Sequence, residues 1–263
     1  SITDLRQAAN LSDFAAKSQV RARVWQTKKP ELIEPEKGFD LPEFDIEIDI
    51  DLENSQAALQ EMDAEQSVGR DQVYLYGYGI HDRTKDKDWR TAHIDSFGNY
   101  DDTDESEYEV LLNMWQLLEK EVAKAESENR TIGIFHYSHH EKIWWRNFAR
   151  RHEGKSGVPT EEAAEAFMAK YFIDLRPYAE KISFPTMSYS IKALAPVAGF
   201  AWKAKDAGGA MSLLKYKAAT ATDSDDAIKN EAIDWLYKYN LDDIRATFTV
   251  REYVRSIAKG LNN

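Results

Sequence analysis

The stretch that decides the fold prediction reads Phe44-Asp45-Ile46-Glu47-Ile48-Asp49-Ile50-Asp51-Leu52-Glu53. Apolar and acidic side chains alternate through it, which predicts a β-strand with one apolar face and one acidic face. Five carboxylates on a buried face would repel one another and lose hydration unless a cation neutralised them. An edge strand whose acidic face looks into water is the alternative interpretation, and it stays open at this point.

The residues that follow this strand predict a mixed α/β fold. Further strands are predicted at 73–80, near 90–97 and at 131–136. An amphipathic helix is predicted from Asp104 or Ser106, as N-cap, to about Glu128, and an aromatic helix from His139 to Arg151. Beyond residue 160 the chain is mostly helical, with helices near 160–171, 188–198, 209–218 and 225–258. We therefore expect helices that flank a central sheet.

The first 42 residues differ from the rest in their pattern. Two short helices are predicted up to about residue 26, with Thr3 and Ser12 as N-caps. Prolines and a glycine then interrupt the pattern, which predicts a linker that ends near Pro42. We expect a helical extension and linker over 1–42 and one domain over 43–263. A fragment of a longer protein and a natural short leader are both compatible with this start.

Composition excludes several kinds of site. The chain of 263 residues has no Cys, which rules out disulfides and zinc–thiolate centres and leaves carboxylates and the six His as metal ligands. It has no apolar run of membrane-spanning length and no signal-peptide pattern, so we expect a cytoplasmic protein with no membrane contact. The net charge of −12 argues against a broad basic surface for nucleic acid. Carboxylates clustered around cations would explain part of that charge.

A second acidic motif lies far along the chain, at Tyr239-Asn240-Leu241-Asp242-Asp243-Ile244. Tyr239 and Asp243 are four residues apart in a predicted helix, so they share one face. A phenol and a carboxylate presented together can hold a metal and orient a water molecule. The pair alone is also typical of a half-buried Tyr beside a solvated acid.

Together these motifs resemble the first and third motifs of DEDD 3′–5′ exonucleases, which have an RNase H-like fold. More narrowly, the chain resembles the RNase H-like domain of predicted RecB-family nucleases over about 44–254. The resemblance also includes the segments Phe135-His136-Tyr137-Ser138-His139-His140-Glu141-Lys142, Ile173-Asp174-Leu175 and Ser188-Tyr189-Ser190-Ile191-Lys192-Ala193-Leu194.

The resemblance implies an RNase H-like mixed central sheet, with the acidic strand at its centre, and two Mg²⁺ or Mn²⁺ ions. Asp51 and Glu53 would be the first-motif ligands, Asp243 the last-motif ligand, and Tyr239 the residue that positions the attacking water. Glu141 would be the second-motif ligand and catalytic residue, at a position where the family usually has Asp. A Glu is a longer ligand that can hold Mg²⁺ or Mn²⁺ but can weaken or relocate the second ion, and a Glu placed favourably in the first turn of a helix is the alternative interpretation. Asp45-Ile46-Glu47 has the same form as Asp51-Leu52-Glu53, so the register also stays open.

Substrate contacts are predicted from a small set of basic and aromatic residues. A helix beside the site would carry a basic stripe, and a solvated helix face is the alternative interpretation. Metal binding by the His cluster is disfavoured because adjacent side chains diverge on a helix. The predicted contact residues are His136, Lys142, Arg146, Arg150 and Lys192.

The resemblance implies a metal-dependent nuclease that hydrolyses phosphodiester bonds by two-metal-ion chemistry. It would act on ends of single-stranded DNA or RNA, in DNA repair, with other domains of a longer protein as partners. A degenerate RNase H-like domain, which binds nucleic acid or supports a neighbouring nuclease or helicase domain, is the second hypothesis. A structural module with an acidic surface is the third.

Overall fold

The alternating acidic run lies in the middle of a mixed sheet in the computed structural model of the chain. This structure describes residues 2–55, 71–204, 208–222 and 225–259, with side chains from Phe14 to Ala258 within those ranges. The predicted connection between the first two strands falls mostly on 56–70, outside the described residues.

Strand β2 (Ile46–Asn54) contains the acidic run and has a neighbour on each side. It pairs antiparallel with β3 (Val73–Asp82) and parallel with β5 (Ile132–His136). Strand β4 (His93–Gly98) pairs with β3, and β6 (Phe172–Asp174) follows β5. Within the described part of the chain the sheet order is β4-β3-β2-β5-β6. The predicted mixed α/β fold is confirmed, and the edge-strand interpretation of the acidic run is wrong.

Helices account for most of the remaining described residues. They are α1 (Ile2–Thr27), α2 (Asp104–Ser127), α3 (His140–Arg151), α4 (Glu161–Tyr171), α5 (Arg176–Ala179), α6 (Ile191–Val197), α7 (Gly209–Thr220) and α8 (Asp226–Lys259). Two short strands, β1 (Glu31–Leu32) and β7 (Ile182–Ser183), pair antiparallel. No helix among the residues described here has the length and hydropathy needed to cross a membrane.

Two helix starts differ from the sequence prediction. Residues 2–27 form one helix rather than two, because the segment contains neither Pro nor Gly and nothing forces a break at Ser12. Helix α2 is capped by Thr103, whose hydroxyl accepts a hydrogen bond from the Ser106 backbone N–H, while the Ser106 hydroxyl accepts one from the Thr103 N–H. This reciprocal capping box makes Ser106 the third helical residue and not the cap.

The apolar face of β2 builds the main core. Its even-numbered side chains, from Ile46 to Leu52, are all buried in one cluster with side chains of α2 and α3. Trp144, Trp145 and Phe148 belong to that cluster, so the aromatic residues of α3 are core residues. Burial of these apolar groups commits the odd-numbered acidic residues of β2 to the opposite face of the sheet.

Contacts divide the chain into two compact units. The first unit contains Ser1–Pro42, Asp174–Ala201 and Phe248–Asn263, and the second contains Glu43–Ile173 and Trp202–Thr247. In the first unit, Leu32 pairs with Ile182, and Arg255 donates a hydrogen bond from Nη2 to the Pro42 carbonyl oxygen at 2.8 Å. Residues 1–42 are thus grouped with two later segments of the chain. The second unit holds the five-stranded sheet and all the acidic residues discussed below.

Candidate metal centre

Three carboxylates from the two predicted motifs meet at the carboxyl end of β2. Asp51 and Glu53 extend from this strand, and Asp243 extends from α8. Each offers one oxygen atom, and the three oxygens lie within 4.8 Å of one another. Asp243 is 5% exposed, and the other two residues are half-buried. Two unit charges at this separation repel by about 3 kcal/mol at an effective dielectric constant of about 20. A cation would relieve this repulsion, so the three residues, called here the acidic triad, could hold a metal ion.

Each triad carboxylate accepts a hydrogen bond from a neutral side chain. Asn240 donates from Nδ2 to Asp51 Oδ2 at 3.0 Å, and Ser212 donates from its hydroxyl to Glu53 Oε2 at 2.8 Å. The Trp202 indole N–H donates to Asp243 Oδ1 at 2.6 Å. Neutral donors such as these orient a carboxylate without cancelling its charge.

The absence of a side chain at Gly77 allows α8 to approach the sheet. Gly77 is directly opposite Asp51 in the β2–β3 ladder. A Cβ atom at this position would overlap Asn240 Oδ1 and would lie 3.1 Å from a carbon of Ile244. Glycine inside a strand often marks a close approach of another element, and here that element carries Asn240 and Asp243.

Tyr239 lies beside the triad and is 2% exposed. Burial raises the pKa of its phenol far above the ordinary value, and the charges of Asp243, Glu53 and Asp51 raise this pKa further. A hydrogen bond between the phenol and Asp243 acts in the same direction. Trp235 stacks on the Tyr239 ring with 5.0 Å between ring centroids. The hydroxyl therefore stays protonated and donates toward Asp243, which leaves its oxygen able to accept a hydrogen bond.

Asp242 anchors the segment that brings Trp202 to the triad. Its Oδ2 accepts hydrogen bonds from the backbone N–H groups of Lys203 at 2.7 Å and Ala204 at 3.3 Å. Its other oxygen accepts from Arg245 at 3.0 Å. The carboxylate is 2% exposed and is neutralised by Arg245, so its contribution is structural.

Hydrogen bonds also join the end of β2 to the residues just before β3. Asn54 donates from Nδ2 to Asp71 Oδ2 at 2.5 Å, and the Ser55 backbone N–H donates to the Gln72 carbonyl oxygen at 2.9 Å. These bonds hold the residues next to Glu53 in place.

Most of the chain matches a model of a known protein family. The family model described as the RNase_H superfamily matches residues 62–255. The chain belongs to the RNase H superfamily. Domains of this superfamily are usually nucleases, and its nucleases generally use divalent metals. Comparisons with curated proteins and with solved structures gave no match. Tyr239 and Asp243 lie inside the matched range, whereas Asp51 and Glu53 precede it.

Two acidic pairs near β2 of this RNase H-like chain, Asp45 with Glu47 and Asp51 with Glu53, could have faced α8. Asp45 accepts hydrogen bonds from the Thr131 backbone N–H at 2.8 Å and from the Thr131 hydroxyl at 2.9 Å. Glu47 is fully buried and forms an ion pair with Arg83 at 3.4 Å. Asp51 and Glu53 are the pair that lies with Asp243, as the predicted register requires.

Glu141, the residue at the second-motif position of the superfamily resemblance, is not a member of the acidic triad. It is 4% exposed, and its Oε2 lies 3.4 Å from Nδ1 of the fully buried His136. Burial raises the pKa of the Tyr76 phenol, and the charges of Glu141 and Asp51 add to this effect. Glu141 therefore lies in the interior beside His136. The predicted contact of His136 with a substrate does not fit its complete burial.

The basic stripe predicted on α3 is engaged in ion pairs. Arg146 pairs with Glu165 and Arg150 with Glu161, both acids on α4. Lys142 is half-buried on the same helix. Both arginine side chains are partly exposed, and these pairs favour the alternative interpretation, a solvated helix face. Lys192 lies on α6, in the first compact unit.

Trp202, Ser212, Asn240 and Gly77 are site residues to which the sequence prediction assigned no role. Asn240 stands inside the Tyr239–Ile244 motif and Gly77 inside the strand predicted at 73–80, so a glycine in the middle of a strand was an available signal. Trp202 comes from a segment without a regular pattern and Ser212 from the helix predicted at 209–218, and only the folded chain brings them to the triad.

Proposed function

We propose that this chain is a metal-dependent nuclease that hydrolyses phosphodiester bonds of single-stranded DNA or RNA from the 3′ end. The convergence of Asp51, Glu53 and Asp243 beside Tyr239 carries the proposal. Membership of the RNase H superfamily supports the reaction class. The 3′–5′ direction and a role in DNA repair rest on the resemblance to DEDD and RecB-family nucleases.

The donor set of the triad fits Mg²⁺ or Mn²⁺. It consists of three carboxylate oxygens, the hard ligands that these ions prefer, and the described residues near it include no thiolate or imidazole ligand. A bound divalent ion would neutralise the triad and stabilise the negative charge that develops on the phosphate during cleavage. The resemblance implies two such ions, and the triad supports binding of at least one.

The remaining site residues would act on water and on the triad itself. The protonated Tyr239 hydroxyl donates to Asp243, and its oxygen can accept a hydrogen bond from the attacking water. That acceptor would orient a lone pair of the water toward the phosphorus atom. Asn240, Ser212 and Trp202 would hold the carboxylates in position, which reduces the reorganisation needed when substrate binds.

A degenerate, non-cleaving domain is the second candidate function. Glu141 is the observation that favours it, because its carboxylate lies next to His136 and not among the triad. A site with one ligand fewer would hold a second ion weakly and would lose most of its rate.

The test is cleavage of a single-stranded oligonucleotide that carries a label at its 5′ end. With Mg²⁺ or Mn²⁺ present, 3′–5′ exonuclease action gives a ladder of labelled products that shorten stepwise, and EDTA abolishes it. A labelled mononucleotide as the first product would mean the opposite direction. Internal fragments from a circular strand would mean endonuclease action. If metal-loaded protein binds the strand without cutting it, the degenerate-domain function replaces the nuclease.

A further inference from the structure

The compact unit that holds the five-stranded sheet also has a cavity of about 390 Å³ beside β4. Its walls come from the short 3₁₀ turn Trp89–Thr91, from the start of β4 and from α8. The lining residues are Trp89, Arg90, Ala92, His93, Ile94 and Arg245. Two arginines, one histidine and one indole thus line the cavity, and no carboxylate is among the lining residues. This lining contrasts with the net charge of −12 of the whole chain.

The cavity lies on the same face of the sheet as the acidic triad. Ile94 is opposite Gly79, and Gly79 is opposite Asp49. Asp49 and Asp51 are two residues apart in β2, so their side chains are on the same face of the sheet. Two strand spacings and one two-residue step separate Ile94 from Asp51, which is about 12 Å between Cα atoms. This length corresponds to roughly three to four nucleotides at the rise of about 3.4 Å per nucleotide of one strand.

Arg245 connects the cavity to the candidate metal centre. Its guanidinium is held 3.0 Å from Asp242, the residue that anchors Lys203 and Ala204 next to Trp202. The Arg245 side chain is 31% exposed, so it presents part of its surface to the cavity. A ligand that contacts Arg245 would therefore touch the element that positions Asp243.

Trp89 lies in the cavity wall on a short hydrogen-bonded turn. The turn has no buried residue, and Trp89 belongs to neither hydrophobic cluster described for this unit. Asp88 accepts a hydrogen bond from the Arg90 backbone N–H at 3.1 Å, and the Ala92 N–H donates to the Trp89 carbonyl oxygen at 2.9 Å. A large, partly exposed aromatic side chain is typical of binding surfaces.

Arg90 lies next to this indole, with its guanidinium carbon 5.4 Å from the ring centroid. It is 73% exposed, and Asp88 engages one of its Nη atoms at 3.0 Å. Because a guanidinium has five N–H donors, Arg90 can keep this bond and bind a phosphate oxygen. Stacking surface and phosphate donors thus occur side by side, which is the combination that single-strand binding sites use.

We infer that this cavity is a nucleotide subsite for single-stranded DNA or RNA, with a base stacked on Trp89 and the neighbouring phosphates bound by Arg90 and Arg245. The inference rests on the proposed nuclease function, because it takes the cavity to hold the strand whose end reaches the triad. It assigns the substrate surface to the β4 side of the sheet and not to α3.

The test compares Trp89→Ala and Arg90→Ala with Arg150→Ala in titrations of a fluorescent single strand in Mg²⁺. The strands are an oligothymidylate and an oligouridylate of about 15 nucleotides, within the length range of single-strand sites, with phosphorothioate linkages that slow cleavage. Arg150 is the matched control because it is 61% exposed and, like Arg90, forms an ion pair with one carboxylate. Both arginine variants therefore change the net charge equally. Tighter binding of one of the two strands identifies DNA or RNA as the ligand.

We expect Trp89→Ala to weaken binding at least about fivefold, the loss of one stacked base. Arg90→Ala should lower the slope of log K against log salt by about 0.7, the loss of one single-strand phosphate contact. Arg150→Ala should bind as the parent does. Equal losses for Arg90→Ala and Arg150→Ala, or parent-like binding by Trp89→Ala, would overturn the subsite. If the parent cleaves oligonucleotides in that case, only the subsite fails. A parent that neither binds nor cleaves a strand would overturn the proposed function as well.

Discussion

Asn240 on α8 donates a hydrogen bond from Nδ2 to Oδ2 of Asp51 on β2, at 3.0 Å and across 189 positions of sequence. This bond joins the two elements that carry the acidic triad. It forms where Gly77 leaves room for the Asn240 amide. The geometry of the triad therefore depends on the space that Gly77 leaves by having no side chain.

Gly77→Ala should lower the cleavage rate strongly while the protein still folds. The added methyl group would displace the Asn240 amide and shift α8, at a cost of about 1–3 kcal/mol in free energy of unfolding, typical of overpacking. Metal-dependent cleavage should fall at least tenfold, because misplacement by about 1 Å costs catalysis heavily. Gly209→Ala is the matched control, since nothing lies within 4 Å of its added Cβ. Denaturant unfolding and initial cleavage rates measure both effects, and a fully active Gly77→Ala protein would contradict the prediction.

Asp51→Asn should remove metal-dependent cleavage and leave the fold intact. Loss of one charge relieves repulsion among three carboxylates, so in EDTA the variant should be at least as heat-stable as the parent. Mn²⁺ should raise the Tm of the parent, because a ligand that binds only the folded state stabilises it, and should raise that of the variant much less. Thermal unfolding with and without the metal provides the measurement. Undiminished cleavage by Asp51→Asn would refute a role for this carboxylate.

Tyr239→Phe should separate chemistry from metal binding. The phenol is not one of the triad ligands, so the variant should keep the increase in Tm produced by Mn²⁺. Loss of the hydroxyl that orients the water should lower kcat at least about tenfold, a loss of at least about 1.4 kcal/mol in transition-state stabilisation. Single-turnover rates at saturating metal test this prediction. An equal loss of metal binding would make Tyr239 a support for Asp243 instead.

Much of this architecture could be predicted from residues 44–53. Strict alternation of apolar and acidic residues predicted the strand, and its apolar face predicted helices packed on that side of the sheet. The alternation could not say whether the acidic half faced water or protein, since that depends on α8, which lies nearly 200 residues later in sequence. Spacing placed Tyr239 and Asp243 on one helix face, but only the fold brought that face to Asp51.

Other features followed from interactions that sequence patterns do not contain. Ser212 and Trp202 donate hydrogen bonds to the triad from irregular or weakly amphipathic segments. Arg146 and Arg150 have the spacing of a phosphate-binding stripe, yet acids on α4 hold them, and such tertiary pairs are invisible in a linear pattern. Glu141 has the position of a helix-start acid, but the fold turns it into the interior beside His136.

Glu141→Gln tests the role of this buried acid. Because Glu141 lies outside the triad, the variant should keep the high-affinity metal site and the increase in Tm that Mn²⁺ produces. Isothermal titration with Mn²⁺ measures the number of ions and their affinity in parent and variant. Loss of one of two bound ions in Glu141→Gln would show that this carboxylate holds the second ion, as the family resemblance implies.

Asp45→Asn should affect stability and its pH dependence but not cleavage. Hydrogen bonds from the Thr131 backbone and hydroxyl lower the pKa of Asp45 in the folded state. Its stabilising contribution is therefore present above the unfolded-state pKa of about 3.9 and is lost as the pH falls through the lowered folded-state pKa. At pH 7 the variant should have a lower Tm than the parent, and the difference should disappear in strong acid. A difference in Tm that does not change with pH would contradict this role.

Anomalous scattering from crystals soaked in Mn²⁺ tests the central proposal most directly, because it locates the ion and its ligands together. We predict a peak bounded by carboxylate oxygens of Asp51, Glu53 and Asp243, at about 2.0–2.3 Å from each, which Asp51→Asn crystals lack or show much weaker. An empty triad with Mn²⁺ bound elsewhere, or carboxylates that stay apart in the presence of the metal, would contradict it.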